Sequence, residues 1–224
     1  MNRVRWLRAE WSIPMCELAD GMKRYAFTRD SFDGFVIDRV RDTFIEGRYI
    51  EKVNYQETIT SPFGEEQFFE RIAYQETPFT LFTEYPHVEL HNPPRSVKAF
   101  MSKLLEMCKF SVSISPVYVD LLNWVAEFQL LSTKEILVDV VQVSEVVLAE
   151  GIGAKMLIRG NKDIREVLGM VVGERKFNLD KVQMRCAVEG KTIPIHLSTT
   201  GVIKVPRQYM SELLPMLRAS LPRM

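Results

Sequence analysis

The feature that most restricts the fold of this chain is an internal repeat. The octet FMSKLLEM at 100–107 returns as YMSELLPM at 209–216, with five identities and a Phe/Tyr exchange. A Pro-Arg pair stands just upstream of each octet. Because such self-similarity marks a repeated structural unit, the two octets predict the same element, a closing helix, at the end of each of two repeats.

Further matches follow in the same order along the chain. Three more pairs of segments correspond: 71–73 with 185–187, 44–53 with 148–157, and strands that run into a proline at Pro14 and Pro116. The second of these pairs shares a Glu-Gly that suits a hairpin turn. The sequence therefore predicts a first repeat at 1–108 and a second repeat at 109–224, together forming one compact pseudo-symmetric unit.

Hydrophobic periodicity predicts the same element order, βαββββα, in both repeats. The predicted strands after the first helix lie at 34–45, 48–59, 66–76 and 78–84 in the first repeat and at 136–149, 153–159, 178–188 and 191–198 in the second. The second repeat adds a predicted helix near 161–171. Pro215 predicts that the last helix kinks or stops near Leu214, since proline lacks the amide hydrogen that an interior helical position requires.

This element order, repeated in tandem, resembles the TATA-box-binding protein and the wider group that shares its fold. The resemblance covers the whole chain and is one of topology, because none of that family's sequence motifs is present. It implies an α+β fold in which two tandem βαββββα repeats form a continuous antiparallel sheet with helices on one face. The extra helix near 161–171 also permits a ferredoxin-like interpretation of the second repeat.

The face of such a sheet that carries no helices has to meet solvent or a ligand, and its residues alternate with apolar ones. In the second repeat, Lys181, Gln183 and Arg185 alternate with apolar residues, and His196 lies outward on the next strand. Lys204 joins them on the strand that follows. This register predicts a polar and basic open face for the second repeat.

The same register places Phe69, Arg71 and Phe82 on the open face of the first repeat, with Arg71 equivalent to Arg185. Aromatic rings on an open sheet can stack on unpaired bases or wedge between base steps, while Arg and Lys neutralise phosphates. These residues, with those of the second repeat, form the candidate nucleic-acid-binding site. Two other interpretations stay open: exposed apolar faces also bind proteins, and a small register error would return Phe69 to the core.

Charge is unevenly distributed along a chain whose formal net charge is zero. Residues 1–150 hold 16 Lys+Arg against 23 Asp+Glu, whereas residues 151–224 hold 13 against 6. The two regions can attract each other within the fold, or the basic region can bind a polyanion.

Motifs for catalysis are missing from the sequence, which has no phosphate-binding glycine-rich loop and no nucleophile elbow. His87, Glu89 and His91 would share one face of a strand, so a three-ligand metal site is the remaining enzyme alternative. Otherwise we expect no catalytic residue, metal or cofactor.

The favoured interpretation is a non-enzymatic protein, or a subunit of a larger complex, that binds DNA or RNA. The alternative is an adaptor that docks a protein partner or a second copy of itself through the same face or through the acidic region 51–150, where 7 Lys+Arg stand against 15 Asp+Glu. No apolar run reaches the roughly 18 residues of a membrane span, and the first residues lack the apolar core of a secretory signal. We therefore expect a cytoplasmic protein without membrane contact.

Overall fold

The computed structural model describes residues 1–173 and 175–223. In these residues the chain is α+β, with eleven strands and five α-helices. It divides into two units: unit 1 comprises residues 1–8 and 115–224, and unit 2 comprises residues 9–114. The first eight residues thus belong with the C-terminal part of the chain. The equivalence of two tandem repeats stays a prediction.

Unit 2 holds two helices with four strands between them. Its elements are α1 (Met15–Arg24), β2 (Asp33–Val40), β3 (Phe44–Thr60), β4 (Glu66–Phe82), β5 (Val88–His91) and α2 (Lys98–Met107). The strands pair antiparallel in the order β2-β3-β4-β5. Four buried rings, Phe35, Tyr49, Phe79 and Phe100, pack with centroid distances of 5.4 to 6.3 Å. Aromatic pairs of this kind add about 1 kcal/mol each beyond the area they bury.

One unbroken strand, β4, replaces the two strands that were predicted at 66–76 and 78–84. Its register with β3 continues without a shift from Phe44↔Phe82 to Thr60↔Glu66. The predicted turn near Pro78 is therefore wrong. Pro78 lies outside the part of β4 that pairs with β5, and a strand accommodates proline where one of its edges is unpaired.

Unit 1 is built on a six-stranded antiparallel sheet. Its elements are residues 2–8 of β1 (Asn2–Glu10), α3 (Leu121–Ser132), β7 (Ile136–Ala149), β8 (Ile152–Arg159), α4 (Arg165–Val172), β9 (Asn178–Val188), β10 (Lys191–Ser198), β11 (Val202–Val205), a 3-10 turn (Arg207–Tyr209) and α5 (Met210–Ala219), while β6 (Ser113–Pro116) spans the boundary between the units. The strand order is β1-β11-β10-β9-β7-β8. Trp6 and Trp124 are fully buried in its core, with ring centroids 5.7 Å apart.

The structure changes one of the matches on which the repeat was based. Glu46 and Gly47 lie inside β3, whereas Gly151 stands in the β7–β8 turn at a φ of +72°. Gly47 is there for close packing, because a Cβ atom would lie 2.5 Å from the carbonyl oxygen of Val36. The predicted shared hairpin turn thus exists only in the second segment.

Two predictions about helices have different outcomes. The extra helix of the second repeat is confirmed as α4, which begins after Asp163, a residue whose carboxylate accepts the Arg165 amide at 2.9 Å. The predicted stop near Leu214 is wrong, because α5 continues through Pro215 to Ala219.

Candidate nucleic-acid interface

The unit 1 sheet carries a groove with basic side chains, which we call the basic groove. Its volume is about 540 Å³. Its basic and titratable lining residues are Arg3, Arg159, Lys181, His196 and Lys204. Between them lie aliphatic side chains, among them Val140 and Leu157. A floor of this kind under a rim of cations suits a ligand that is itself anionic.

Strand register explains why residues so far apart in sequence meet in the groove. Partners in the ladder follow one another across the six strands in a single row: Arg3, Lys204, His196, Gln183, Val140 and Arg159. Each step across the sheet is about 4.8 Å, so this row is about 24 Å long. The alternation predicted for β9 is observed, since Val182, Met184 and Cys186 are buried between the outward residues.

Three cations of the groove have no acidic partner. Lys181, Lys204 and Arg159 are exposed and form no ion pair with any residue in the described part of the chain. Lys181 pairs with Ser198 in the ladder, in the row next to the one that contains Lys204. The positive field of these side chains is therefore available to a ligand from outside.

His196 is half-buried between the cations. Burial lowers the pKa of its imidazole, and the neighbouring Lys204 charge lowers it further, while Asp139 acts in the opposite direction. The ring is therefore neutral at pH 7 in the unliganded protein. A phosphate beside Lys204 would offset that cation and favour the protonated ring.

Arg185 differs from the other predicted basic residues because its charge is compensated. Its Nε donates to Asp139 Oδ2 at 2.7 Å, and Gln183 Nε2 donates to the same carboxylate at 3.0 and 3.1 Å. Asp139 is only 2% exposed and sits at a shift of register between Val138 and Val140. The exposed Arg185 head group thus holds a buried acid and is not available as an unpaired phosphate ligand.

The residues predicted from the first repeat do not join this groove. Phe69, Arg71 and Phe82 all lie on β4 in unit 2, and none of them lines the groove. Because β4 is unbroken, Phe69 and Arg71 share the strand face of the core residue Phe79, while Phe82 lies on the opposite face. The prediction that all three share one open face is wrong.

Phe69 is nevertheless exposed, at 47%, because the strands beneath it extend past the core. Pairing with β2 ends at Glu51 and pairing with β5 covers only 79–81, so residues 52–60 and 66–74 form a ladder with each other alone; at its base the Lys52 amide donates to the Phe32 carbonyl oxygen at 2.7 Å. We call this two-stranded projection the arm. It carries exposed apolar side chains on both faces: Tyr55, Ile59, Phe68, Phe69, Ile72 and Tyr74.

The histidine pair considered for a metal is engaged otherwise. His91 Nε2 lies 3.0 Å from Glu89 Oε1, and His87 Nδ1 accepts the Ala9 amide at 3.2 Å. Across residues 1–173 and 175–223, no group of three His, Cys, Asp or Glu side chains is arranged to hold a metal ion. None of the helices described is both long and apolar enough to span a bilayer.

Sequence reasoning missed three residues that shape the site: Arg3, Arg159 and Asp139. Arg3 reaches the groove through pairing with β11, far along the chain, and Arg159 through a hairpin with β7 whose register shifts at bulges; no local pattern reports either. Asp139 offered a signal, since it is an acid inside the apolar run ILVDVV, and such an acid has to find donors when it is buried.

No protein-family model matches the chain, and no curated protein is significantly similar to it. The functional interpretation therefore depends on the geometry and charge of the basic groove.

Proposed function

We propose that this chain is a non-enzymatic nucleic-acid-binding protein that holds a DNA or RNA backbone in the basic groove of unit 1. The observation that carries this proposal is the row from Lys204 to Arg159, with Lys181 beside it. Cations without acidic partners along a concave surface are the electrostatic footprint of a protein that neutralises phosphates.

The lining of the groove favours contact with the backbone over readout of bases. No Phe, Tyr or Trp stands among the described residues that line it. Base stacking on aromatic platforms is thus not available there. Phe69 and Phe82, which were predicted to stack on bases, would have to act outside the groove. We therefore propose binding that is independent of sequence and strongly dependent on salt.

The tandem-repeat architecture and the resemblance to the TATA-box-binding-protein fold belong to the same proposal. Support comes from unit 2, where four antiparallel strands stand in order between α1 and α2. The two octets also support it, since both lie at the closing helices and their first residues, Phe100 and Tyr209, are both buried.

The first test measures how binding depends on salt. The three groove cations without an acidic partner, each displacing a counterion from a single strand, give a slope of log K against log salt of about −2. Lys181→Ala/Lys204→Ala removes two of these contacts, so we expect weaker binding and a slope of about −0.7. Fluorescence anisotropy with labelled single-stranded RNA, single-stranded DNA and duplex DNA supplies the measurement.

Lys162→Ala/Lys176→Ala is the matched control, because it also removes two exposed lysines of unit 1 that do not line the groove. It should keep more of the wild-type slope than the groove variant. Absence of binding to all three polymers at micromolar protein and low salt would end the proposal. Equal salt slopes for the two double variants would show that the nucleic acid binds outside the groove.

A further inference from the structure

We propose that the arm of one molecule docks into the basic groove of a second copy of this chain, so that the protein associates head to tail. The proposal uses the groove described above, but it requires only that the groove attract an acidic surface. It does not require that nucleic acid binds.

The first observation is that the arm extends beyond the other strands of unit 2 and exposes apolar side chains. Nine residues of β3, 52–60, extend beyond the last pairing with β2. At about 3.4 Å per residue the arm projects about 30 Å, and exposed hairpins of two strands are marginally stable by themselves. Apolar side chains exposed along such a hairpin indicate a surface that is covered by another molecule.

The second observation is the charge of the arm. In the arm together with its turn at 61–65, acids outnumber bases, with Glu57, Glu65, Glu66 and Glu70 against Lys52 and Arg71. Two arms lying side by side would bring like charges together, which disfavours a dimer formed by the arms alone. The charge instead favours a basic partner surface with apolar side chains between its cations, and the basic groove of unit 1 is such a surface.

The third observation is spacing. Glu66 and Glu70 lie on the same face of β4 as the exposed Phe68 and Ile72, and four residues along a strand separate them by about 13 Å. In the groove, Lys204 and Lys181 are two strands and two residues apart in the ladder, which is about 12 Å. One carboxylate can thus meet each lysine while Phe68 lies over His196 and Ser198 of β10 between them.

Such a contact joins two different surfaces, so a pair of molecules joined by one contact keeps one unused arm and one unused groove. These can meet each other in a closed pair, or further molecules can add to form a larger ring or a chain. Nucleic acid and the arm would compete for the same lysines. An oligonucleotide of about 16 nucleotides should therefore dissociate the assembly.

The test is a charge swap followed by light scattering during size exclusion at low salt. The wild-type protein should show a mass above the 26.0 kDa of one chain that rises with concentration up to about 100 µM. Glu66→Lys/Glu70→Lys and Lys181→Glu/Lys204→Glu should each be monomeric, since each variant sets like charges against each other. An equimolar mixture of the two should associate again, because the reversed arm then meets the reversed groove.

Glu17→Lys/Glu84→Lys is the matched control, which reverses two exposed acids of unit 2 outside the arm and should associate as the wild type does. Circular dichroism confirms that each variant is folded. A wild-type protein that stays monomeric over the whole range, or a mixture that stays monomeric, overturns the proposal.

The outcome is separable from that of the nucleic-acid proposal. Glu66→Lys/Glu70→Lys leaves the groove intact, so if both proposals hold it binds oligonucleotide at least as tightly as the wild type. Association without oligonucleotide binding would support the docking of the arm alone. Oligonucleotide binding by a monomer would overturn the docking alone.

Discussion

The strands of the two units differ in how the charges on their outward faces are paired. In unit 2, Arg48 reaches Asp38 at 3.4 Å and Glu76 at 3.5 Å, and Arg39 lies 3.7 Å from Glu46. In unit 1, Lys181, Lys204 and Arg159 have no acid within reach in the described chain. The charges on the unit 2 face compensate each other, whereas the unit 1 face keeps uncompensated positive charge that an external anion can neutralise. A sheet with one open face thus becomes a binding surface through the placement of its acids.

Arg185 tests this comparison because it belongs to unit 1 but forms an ion pair, as the arginines of unit 2 do. Arg185→Ala leaves the buried Asp139 carboxylate with Gln183 as its remaining side-chain donor, so we expect a loss of about 2 kcal/mol in the free energy of unfolding. Urea denaturation measures it. The salt slope of nucleic-acid binding should stay close to wild type, because the charge removed was already compensated.

Asp139→Asn/Arg185→Ala is the companion variant, since it removes the stranded charge together with its partner. It should recover part of the lost stability. If Arg185→Ala instead reduces the salt slope as Lys181→Ala does, Arg185 contacts phosphate and the distinction between paired and unpaired cations fails.

Arg48 tests the opposite side of the comparison. Its ion pairs are solvent-exposed, and such pairs contribute about 0.5 kcal/mol. Arg48→Ala should therefore lower the free energy of unfolding by no more than this and leave nucleic-acid affinity unchanged, as measured by urea denaturation and fluorescence anisotropy. A loss of affinity as large as that of Lys181→Ala would show that both faces contact the polymer.

Which features could be predicted from the sequence depends on how far apart the interacting residues are along the chain. Alternation along β9 depends only on neighbours in sequence, and it placed Lys181 and Gln183 outward correctly. Arg3 reaches the groove through pairing with Lys204, two hundred residues away in the sequence, and no local pattern encodes that pairing. Register errors then propagate, since a shift by one residue transfers a whole strand to its other face.

The misplaced face in β4 and the missed Asp139 in β7 both depend on how neighbouring strands pair. The sequence predicted separate strands at 66–76 and 78–84, yet an unpaired edge tolerates Pro78 within one strand, which places Phe82 on the opposite face from Phe69. In β7, the shift of register at Asp139 turns an apparent interruption of an apolar run into a buried acid that binds Arg185. Unpaired edges and bulges depend on neighbouring strands, so the candidate site was only half accessible from sequence.

The smallest expected effect concerns His196, whose protonation makes both the stability of the protein and its ligand affinity depend on pH. Its pKa in the folded protein is below the usual value of about 6.5, so the unfolded chain binds more protons in the window just below that value. Stability contributed by the neutral ring is present above about pH 6.5 and is lost as the pH falls through the folded pKa. His196→Gln should therefore reduce the acid-induced loss of stability between about pH 7.5 and 5.5, measured by urea denaturation.

The same ring should act in the opposite sense on binding. Phosphate beside Lys204 and Arg3 stabilises the protonated form, so binding takes up a proton and affinity rises as the pH falls across this window. His196→Gln keeps a polar side chain but cannot gain that charge, and it should flatten the rise in anisotropy titrations. If lowering the pH destabilises the unliganded protein but strengthens nucleic-acid binding, His196 in the groove is the group that takes up the proton. If affinity rises with acid as much in His196→Gln as in the wild type, another group takes it up.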